Sequence, residues 1–141
     1  MQIRRIELSQ TLPIRQQVLW PDRSPSDIVY PEDSEADTFH LGAFDDYGEL
    51  LGVATLYHDV DATWRLRGMG VLPDNQGGGI GTRLVDASIS ELKTLGATGV
   101  WCNARLAVTG FYQHMDWEIE GEEFEIPGVG AHYVMRYLIS N

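Results

Sequence analysis

The sequence has little cysteine, few basic side chains and no long hydrophobic run, and each shortage narrows the kind of protein it can be. The single cysteine, Cys102, excludes an internal disulfide framework and leaves too few thiols for a cysteine-based zinc site. No apolar stretch approaches the roughly 18 residues that a membrane-spanning helix needs. The first ten residues alternate in polarity, unlike the apolar core of a signal peptide. We therefore expect a cytoplasmic enzyme or binding module that does not act at a membrane.

Positive charge is scarce as well. Ten Lys and Arg residues stand against 21 Asp and Glu, which gives a formal net charge of −11. Such a surface repels nucleic acids and anionic membranes and attracts cations, so nucleic acid is not an expected partner. The four histidines show no metal-ligand spacing, and no metal is expected. With 141 residues, 43% of them hydrophobic, the chain fits one globular domain spanning residues 1–141.

Hydrophobic periodicity predicts a mixed α/β chain with the order β-α-β-β-β-α-β-α-β-β. Thr11 is a candidate cap for the first helix. Gly68 and Gly70 lie inside a predicted strand, where glycine often marks a bulge or a close approach to the backbone. Apolar residues recur every three or four positions from Ile80 to Leu95, which predicts an amphipathic helix that ends at Gly96.

The stretch VLPDNQGGGIGTRLV, residues 71–85, places four glycines in five positions, at 77, 78, 79 and 81. A strand, a glycine-rich loop and a helix start form an anion-binding site, because the first helical N–H groups lack partners. A nucleoside-triphosphate loop is excluded because no lysine follows these glycines. A dinucleotide-binding fingerprint is excluded because Thr82 stands where its last glycine is needed.

Two motifs resemble those of the GNAT superfamily of acyl-CoA-dependent N-acyltransferases. Gln76-x-x-Gly79-x-Gly81 resembles the Q/R-x-x-G-x-G/A motif, and GFYQHMDWEIEG, residues 110–121, resembles the F-Y-x-x-x-G-F signature. The resemblance implies an α/β fold with a mixed, mostly antiparallel sheet of about six to seven strands. That sheet would be splayed between strands 4 and 5 and flanked by about four helices.

The resemblance also implies that acetyl-CoA, the cosubstrate, lies in the gap between strands 4 and 5. Main-chain amides of the glycine loop would hold its pyrophosphate, with Arg83 as the nearby cation. The backbone around Met69 and Val71 would pair with the pantetheine arm. The implied cofactor-binding residues are Met69, Val71, Gln76, Gly77, Gly78, Gly79, Gly81, Thr82 and Asn103. For Asn103, a strand-end cap is an equally good interpretation.

Aminolysis of a thioester needs a neutral amine, support for the oxyanion and a proton for the departing thiolate. Tyr112 matches the family tyrosine that donates this proton; the alternative is that Tyr112 only packs or hydrogen-bonds to the sulfur. Asp116 replaces the glycine of the signature, and it tolerates left-handed backbone better than most residues. Trp117 replaces the phenylalanine, a conservative aromatic exchange.

The general base is left open by the sequence. Some relatives use a glutamate on the fourth strand, where this chain has Arg65 and Arg67 instead. His132, His40 and a chain of water molecules remain as candidates. Cys102 lies in an apolar stretch and is expected in the core rather than as a nucleophile.

The sequence therefore predicts an N-acetyltransferase that moves an acetyl group to a primary amine by direct attack in a ternary complex. The alternative is a non-catalytic CoA-binding or sensing module on the same scaffold, since a fold does not fix a function. Eight of the 21 acidic residues lie between Asp22 and Asp46. This cluster predicts a cationic acceptor, either a small polyamine-like amine or a peptide amine. A homodimer is left open.

Overall fold

The computed structural model describes residues 1–140, which form a single mixed sheet of seven strands. The strands are β1 (Gln2–Ile6), β2 (Phe39–Phe44), β3 (Leu50–His58), β4 (Thr63–Val71), β5 (Gly99–Arg105), β6 (Glu118–Ile126) and β7 (Gly130–Leu138). They lie in the order β1-β2-β3-β4-β5-β7-β6, and all neighbours are antiparallel except β4 and β5. The predicted number of strands, the predicted order of strands and helices along the chain and the mixed, mostly antiparallel pairing are confirmed.

Three α-helices flank the sheet: α1 (Leu8–Ile14), α2 (Ile80–Thr94) and α3 (Thr109–His114). About four were expected, so the predicted number is slightly too high. A π-helical turn, Arg15–Leu19, extends α1, but the segment that follows contains only short 3₁₀ turns, Pro25–Ile28 and Pro31–Ser34. A proline at the start of each turn has no N–H to donate, which favours short turns over a continuous helix.

The predicted cap of the first helix was misplaced. Helix α1 begins at Leu8, with the extended Glu7 as its cap residue and a reciprocal capping box between Glu7 and Gln10. The Glu7 backbone N–H donates to the Gln10 side-chain oxygen at 2.8 Å. Thr11 lies inside the helix, fully buried, and its hydroxyl donates to the Leu8 carbonyl oxygen at 2.7 Å.

Strand β4 contains the bulge that its glycines predict. Val53 pairs with Gly70, but Thr55 pairs with Arg67, so β4 has one residue more than β3 between these two pairs. Gly68 has a φ angle of +64°, and a Cβ atom there would lie 2.9 Å from the Arg15 Nε. Glycine is therefore required both by the backbone conformation and by the side chain that packs against it.

Strands β4 and β5 separate soon after they meet. Their parallel pairing has three steps, Thr63 with Gly99, Trp64 with Val100 and Arg65 with Trp101. Beyond Arg65, β4 keeps its partner β3 on one side only. This confirms the expected splay, and it opens a gap in the middle of the sheet. Helix α2 covers one face beside the gap, and the α1 end with its π-helical turn covers the other.

A buried ion pair fixes the segment after α1 to the sheet. The Arg15 guanidinium donates to both carboxylate oxygens of Asp33, at 2.7 and 2.9 Å, and to the Thr55 hydroxyl on β3 at 2.6 Å. Both charged side chains are 0% exposed. Asp33 also accepts from the Tyr30 backbone N–H at 2.7 Å, and Arg15 donates to the Ile28 carbonyl oxygen at 3.1 Å. One arginine thus holds both 3₁₀ turns in place.

Replacing Asp33 with alanine should strongly destabilise the fold, because it leaves the Arg15 charge buried without a partner. We expect a loss of about 3–5 kcal/mol in the free energy of unfolding, measured by urea denaturation. Glu91→Ala is the matched control, since it breaks the exposed pair in which Arg5 Nη2 lies 2.9 Å from a Glu91 oxygen. That change should cost less than about 1 kcal/mol. Equal losses in the two variants would contradict the structural role of the buried pair.

Candidate active site

A cleft of about 750 Å³ occupies the gap between β4 and β5. Its walls include the candidate proton donor Tyr112 and eight of the nine residues predicted to bind the cofactor. Gly78 is the one that does not line it. The eight are Met69, Val71, Gln76, Gly77, Gly79, Gly81, Thr82 and Asn103. Residues from β4, the glycine loop, α2, β5 and α3 thus meet at one place.

The glycine loop presents unused hydrogen-bond donors to this cleft. None of the six backbone N–H groups from Gly77 to Thr82 has an acceptor within residues 1–140, and the first helical bond of α2 runs from the Arg83 N–H to the Gly79 carbonyl oxygen. Gly77 and Gly79 have φ angles of +83° and +86°. A Cβ atom at either position would meet nothing within 4 Å. Free amides, the helix dipole and open space together make a site that suits an anion.

The side chain of Gln76 closes the loop onto the end of β4. Its amide nitrogen donates to the Val71 carbonyl oxygen at 2.9 Å. This contact holds the loop beside the free edge of β4, so the strand and the helix start face the same cleft. On that edge, the backbone from Leu66 to Val71 has no β5 partner. An extended ligand could pair with it as an additional strand would.

Tyr112 lies in the wall opposite β4 and is held by aromatic packing. Its ring centroid is 4.9 Å from that of Trp117 and 5.0 Å from that of Phe111. Asp116 adopts the left-handed conformation expected of it, with φ +68°, and the turn brings the Trp117 N–H to the Tyr112 carbonyl oxygen at 3.0 Å. Burial, reinforced by the nearby Cys102 sulfur, raises the pKa of Tyr112 well above its ordinary value. The phenol is therefore protonated throughout the neutral range.

Cys102 is a core residue, as predicted. It is 3% exposed, and burial raises the pKa of its thiol to about 12. A thiol with that pKa carries almost no thiolate at neutral pH, so it is a poor nucleophile.

The two candidate histidines lie in different environments. His132 lines the cleft, and its Nδ1 is 2.7 Å from the Gly130 carbonyl oxygen. A carbonyl can only accept, so Nδ1 carries a proton, and in the neutral ring the lone pair is therefore on Nε2. His40 does not line the cleft; its Nδ1 lies 2.8 Å from the Thr55 hydroxyl, beside the buried ion pair. Burial lowers the pKa of His40, and the Asp33 charge opposes this shift.

Charged residues are distributed differently from the sequence-based expectation. The acidic residues between Asp22 and Asp46 do not line the cleft, although Asp22 lines a smaller pocket that adjoins it at Trp20 and Arg105. Arg83 does not line it either; its guanidinium lies 3.4 Å from the Met1 carbonyl oxygen. The cleft is instead lined by three arginines, Arg65, Arg67 and Arg105. From the sequence, Arg65 and Arg67 were noted only because they stand where some relatives have a glutamate, and Arg105 was not considered.

The structure also bears on metal binding and on membrane insertion. Within residues 1–140, no group of three or more His, Cys, Asp or Glu side chains is arranged to hold a metal ion. None of the helices in this part of the chain has the length and apolar character needed to cross a bilayer.

Comparisons with known proteins agree with this geometry. The Acetyltransferase (GNAT) family profile matches residues 3–117. A Bacillus subtilis (strain 168) protein, the uncharacterized N-acetyltransferase YitI, is 35% identical over 141 residues, covering 96% of this chain and 94% of that protein.

Solved structures share the fold at low sequence identity. The ribosomal-protein-S18-alanine N-acetyltransferase from Escherichia coli superposes with a TM-score of 0.82 at 18% identity, covering 99% of this chain and 94% of the other. An aminoglycoside 6'-N-acetyltransferase complexed with coenzyme A superposes with a TM-score of 0.78 at 16% identity, covering 100% and 98%. With the family match over most of the chain, the glycine loop and the splayed strands, the chain belongs to the GNAT family of acetyltransferases.

Proposed function

We propose that this chain, folded as one domain over residues 1–141, transfers an acetyl group from acetyl-CoA to a primary amine. The amine attacks the thioester directly while both substrates are bound. The observation that carries the proposal is the cleft itself, which combines six free backbone N–H groups at a helix start with a buried, protonated tyrosine.

The glycine loop supplies the site for the pyrophosphate. The amides from Gly77 to Thr82 donate to its oxygens, and the α2 dipole adds an attraction of roughly 0.3–2 kcal/mol per charge. The free edge of β4 around Met69 and Val71 pairs with the pantetheine arm, and Asn103 on β5 offers an amide from the other wall. Since Arg83 does not line the cleft, the loop binds the anion mainly through backbone groups.

Tyr112 stabilises the departing thiolate. A thiol has an ordinary pKa of about 8.5, below that of a phenol, so proton transfer from Tyr112 requires that the same buried surroundings also raise the pKa of the departing thiol. The hydrogen bond gains strength as the carbon–sulfur bond breaks, and the proton follows the electron pair onto the sulfur. Packing against Trp117 holds the ring in position.

Two features of the cleft favour direct attack over an acyl-enzyme. Cys102, the one thiol in the chain, is buried and has a pKa raised to about 12. His132 lines the cleft, and its Nδ1–H is held by the Gly130 carbonyl oxygen, so the Nε2 of the neutral ring is the atom best suited to accept the proton that the amine loses. The acceptor is a small-molecule or peptide amine. Because no carboxylate from residues 1–140 lines the cleft, a polyamine is the less favoured of the two classes predicted from the sequence.

The Gly79→Asp variant tests the pyrophosphate site. A carboxylate among the free amides repels the diphosphate, so acetyl-CoA binding measured by calorimetry should be lost. Gly48→Asp is the matched control, because Gly48 has φ +82° and Gly79 has φ +86°, and both have open space around a Cβ atom. Gly48 lies in the β2–β3 turn and not on the cleft, so both variants bear the same strain but only one should lose binding. Unchanged affinity in folded Gly79→Asp protein would refute the assignment.

Tyr112→Phe tests the proton donor by removing one oxygen and keeping the ring. We expect kcat to fall by about 10²–10⁴-fold with little change in acetyl-CoA affinity, since the interaction strengthens only as sulfur gains charge. The fall should shrink for a thioester whose leaving thiol is more acidic. In the wild type, deprotonation of Tyr112 should not limit kcat up to pH 10, because its folded pKa is raised.

An equal loss with every leaving thiol would assign Tyr112 a positioning role instead. A variant within threefold of the wild type, measured where chemistry limits the rate, would remove Tyr112 from the mechanism. If the wild type binds acetyl-CoA but releases no thiol with any amine, the chain is a CoA-binding module rather than an enzyme.

His132→Asn tests the proton acceptor. Loss of the Nε2 lone pair should lower kcat/KM by about 10²–10⁴-fold. His114→Asn, at the exposed end of α3 and outside the cleft, should have no effect. If the His132 variant stays within threefold of the wild type, the amine proton leaves through water.

A further inference from the structure

The charge of the cleft is opposite to that of the protein. The chain has a net charge of −11, yet the cleft is lined by three arginines and, among residues 1–140, by no Asp or Glu; Asp22 lines only a smaller adjoining pocket, together with Arg105. A site that is positive inside an acidic protein concentrates anions locally, whatever the overall charge does at long range.

Two of these arginines lie together and away from the glycine loop. Arg65 and Arg67 are two residues apart on β4, so their side chains point to the same face of the sheet. Their cross-strand partners on β3 are Tyr57 and Thr55. From Arg67 to Val71, where the glycine loop is attached, the strand extends about 13 Å at its usual rise per residue. The pair therefore lies towards the other end of the cleft, beyond the backbone proposed to hold the pantetheine arm.

Neither guanidinium has an anionic partner. The Arg67 guanidinium carbon lies over the Tyr30 ring, 3.8 Å from its centroid, and that of Arg65 lies 4.5 Å from the Trp101 ring centroid. Within residues 1–140 neither forms an ion pair, and the Arg65 Nε is buried without an acceptor. By contrast, Arg5, Arg15 and Arg136 each bind a carboxylate.

This arrangement is costly in the free protein. Burial lowers the pKa of Arg65, and the neighbouring Tyr57 opposes this shift. The Arg67 charge lowers the pKa further, and Glu32 opposes that in turn. Two like charges held together and partly desolvated are disfavoured until an anion binds between or beside them. Aromatic rings hold the side chains in place, so little conformational entropy is lost when such an anion binds.

We propose that Arg67 and Arg65 bind a carboxylate carried by the acceptor, so that the acceptor is a zwitterionic amine, an amino acid or a short peptide. This inference rests on the proposed function and names its substrate class. The planar guanidinium fork matches a carboxylate in a way that a lysine does not. The CoA pyrophosphate is not the anion in question, because free amides at the far end of the cleft are available to it.

Matched acceptors test the proposal. Free α-amino acids are compared with their own carboxamides, which differ only in the loss of the carboxylate. Aspartate and glutamate α-amides form a third arm, in which the only carboxylate is on the side chain, and diamines form a fourth. The wild type should show a KM about 10- to 100-fold lower for carboxylate-bearing acceptors than for their carboxamides, the factor expected of a charge-assisted hydrogen-bonded pair. The first and third arms distinguish an α-carboxylate from a side-chain carboxylate.

Arg67→Gln should remove this preference. KM for the carboxylate acceptor should rise about 10- to 100-fold, while KM for the carboxamide and the dissociation constant for acetyl-CoA stay within about twofold. Arg67→Lys keeps the charge but loses the planar fork, so its KM for the carboxylate acceptor should lie between that of the wild type and that of Arg67→Gln. Arg4→Gln is the control: Arg4 also packs 3.8 Å over an aromatic ring, that of Phe44, but lies outside the cleft.

A binding measurement separates this inference from the proposed function. N-acetyl amino acids and their amides are titrated calorimetrically into the protein saturated with CoA, which needs no turnover. The inference is supported if the wild type binds the carboxylate form tightly and Arg67→Gln does not, even when no amine is acetylated. Absence of acetylation would refute only the proposed function. The inference is overturned if the wild type does not prefer carboxylates, if Arg67→Gln keeps the preference, or if that variant weakens acetyl-CoA binding instead.

Discussion

The separation of β4 from β5 is the constraint on which the rest of the structure depends. Backbone N–H and C=O groups in the middle of a sheet need partners, and β4 beyond Arg65 has partners on one side only. A protein can leave such an edge open in its interior only if water or a ligand satisfies it. The glycine loop, fastened to the same strand by Gln76, adds six more free donors. Cleft and ligand chemistry therefore both follow from one interruption of the sheet.

The bulge that accompanies this interruption connects the cleft to the buried ion pair. Gly68 lies in the bulge, where β4 has one residue more than β3. Because it has no side chain, Arg15 and Tyr30 can pack against it. Arg15 is neutralised by Asp33 and bonded to Thr55 on β3, so the 3₁₀ turns after α1 are fixed against the sheet. Tyr30 then lies between the guanidinium groups of Arg15 and Arg67, 4.2 and 3.8 Å away. This wall of the cleft is thus held in place by the fully buried Arg15–Asp33 ion pair.

Charge acts at two scales in this protein. The acidic surface sets the long-range field, but the cleft is lined by arginines and free amides, which act at contact distance where water screens them least. The acidic segment between Asp22 and Asp46 predicted a cationic acceptor because sequence composition reports only the first scale. Asp33 shows the difference, since it belongs to that segment but is fully buried against Arg15.

Features set by local spacing were determined by the sequence itself. The order of strands and helices, the glycine loop before α2, the bulge at Gly68 and the left-handed Asp116 all depend on residues within a few positions of one another. Features that join distant segments were decided only by the tertiary structure. Arg83 reaches back to Met1, 82 residues away, His40 lies in the ion-pair network while His132 lines the cleft, and Arg65 and Arg67 line it without a carboxylate partner. The physical reason is that periodicity fixes the face of an element that a side chain occupies, whereas packing of the whole chain fixes what that face meets.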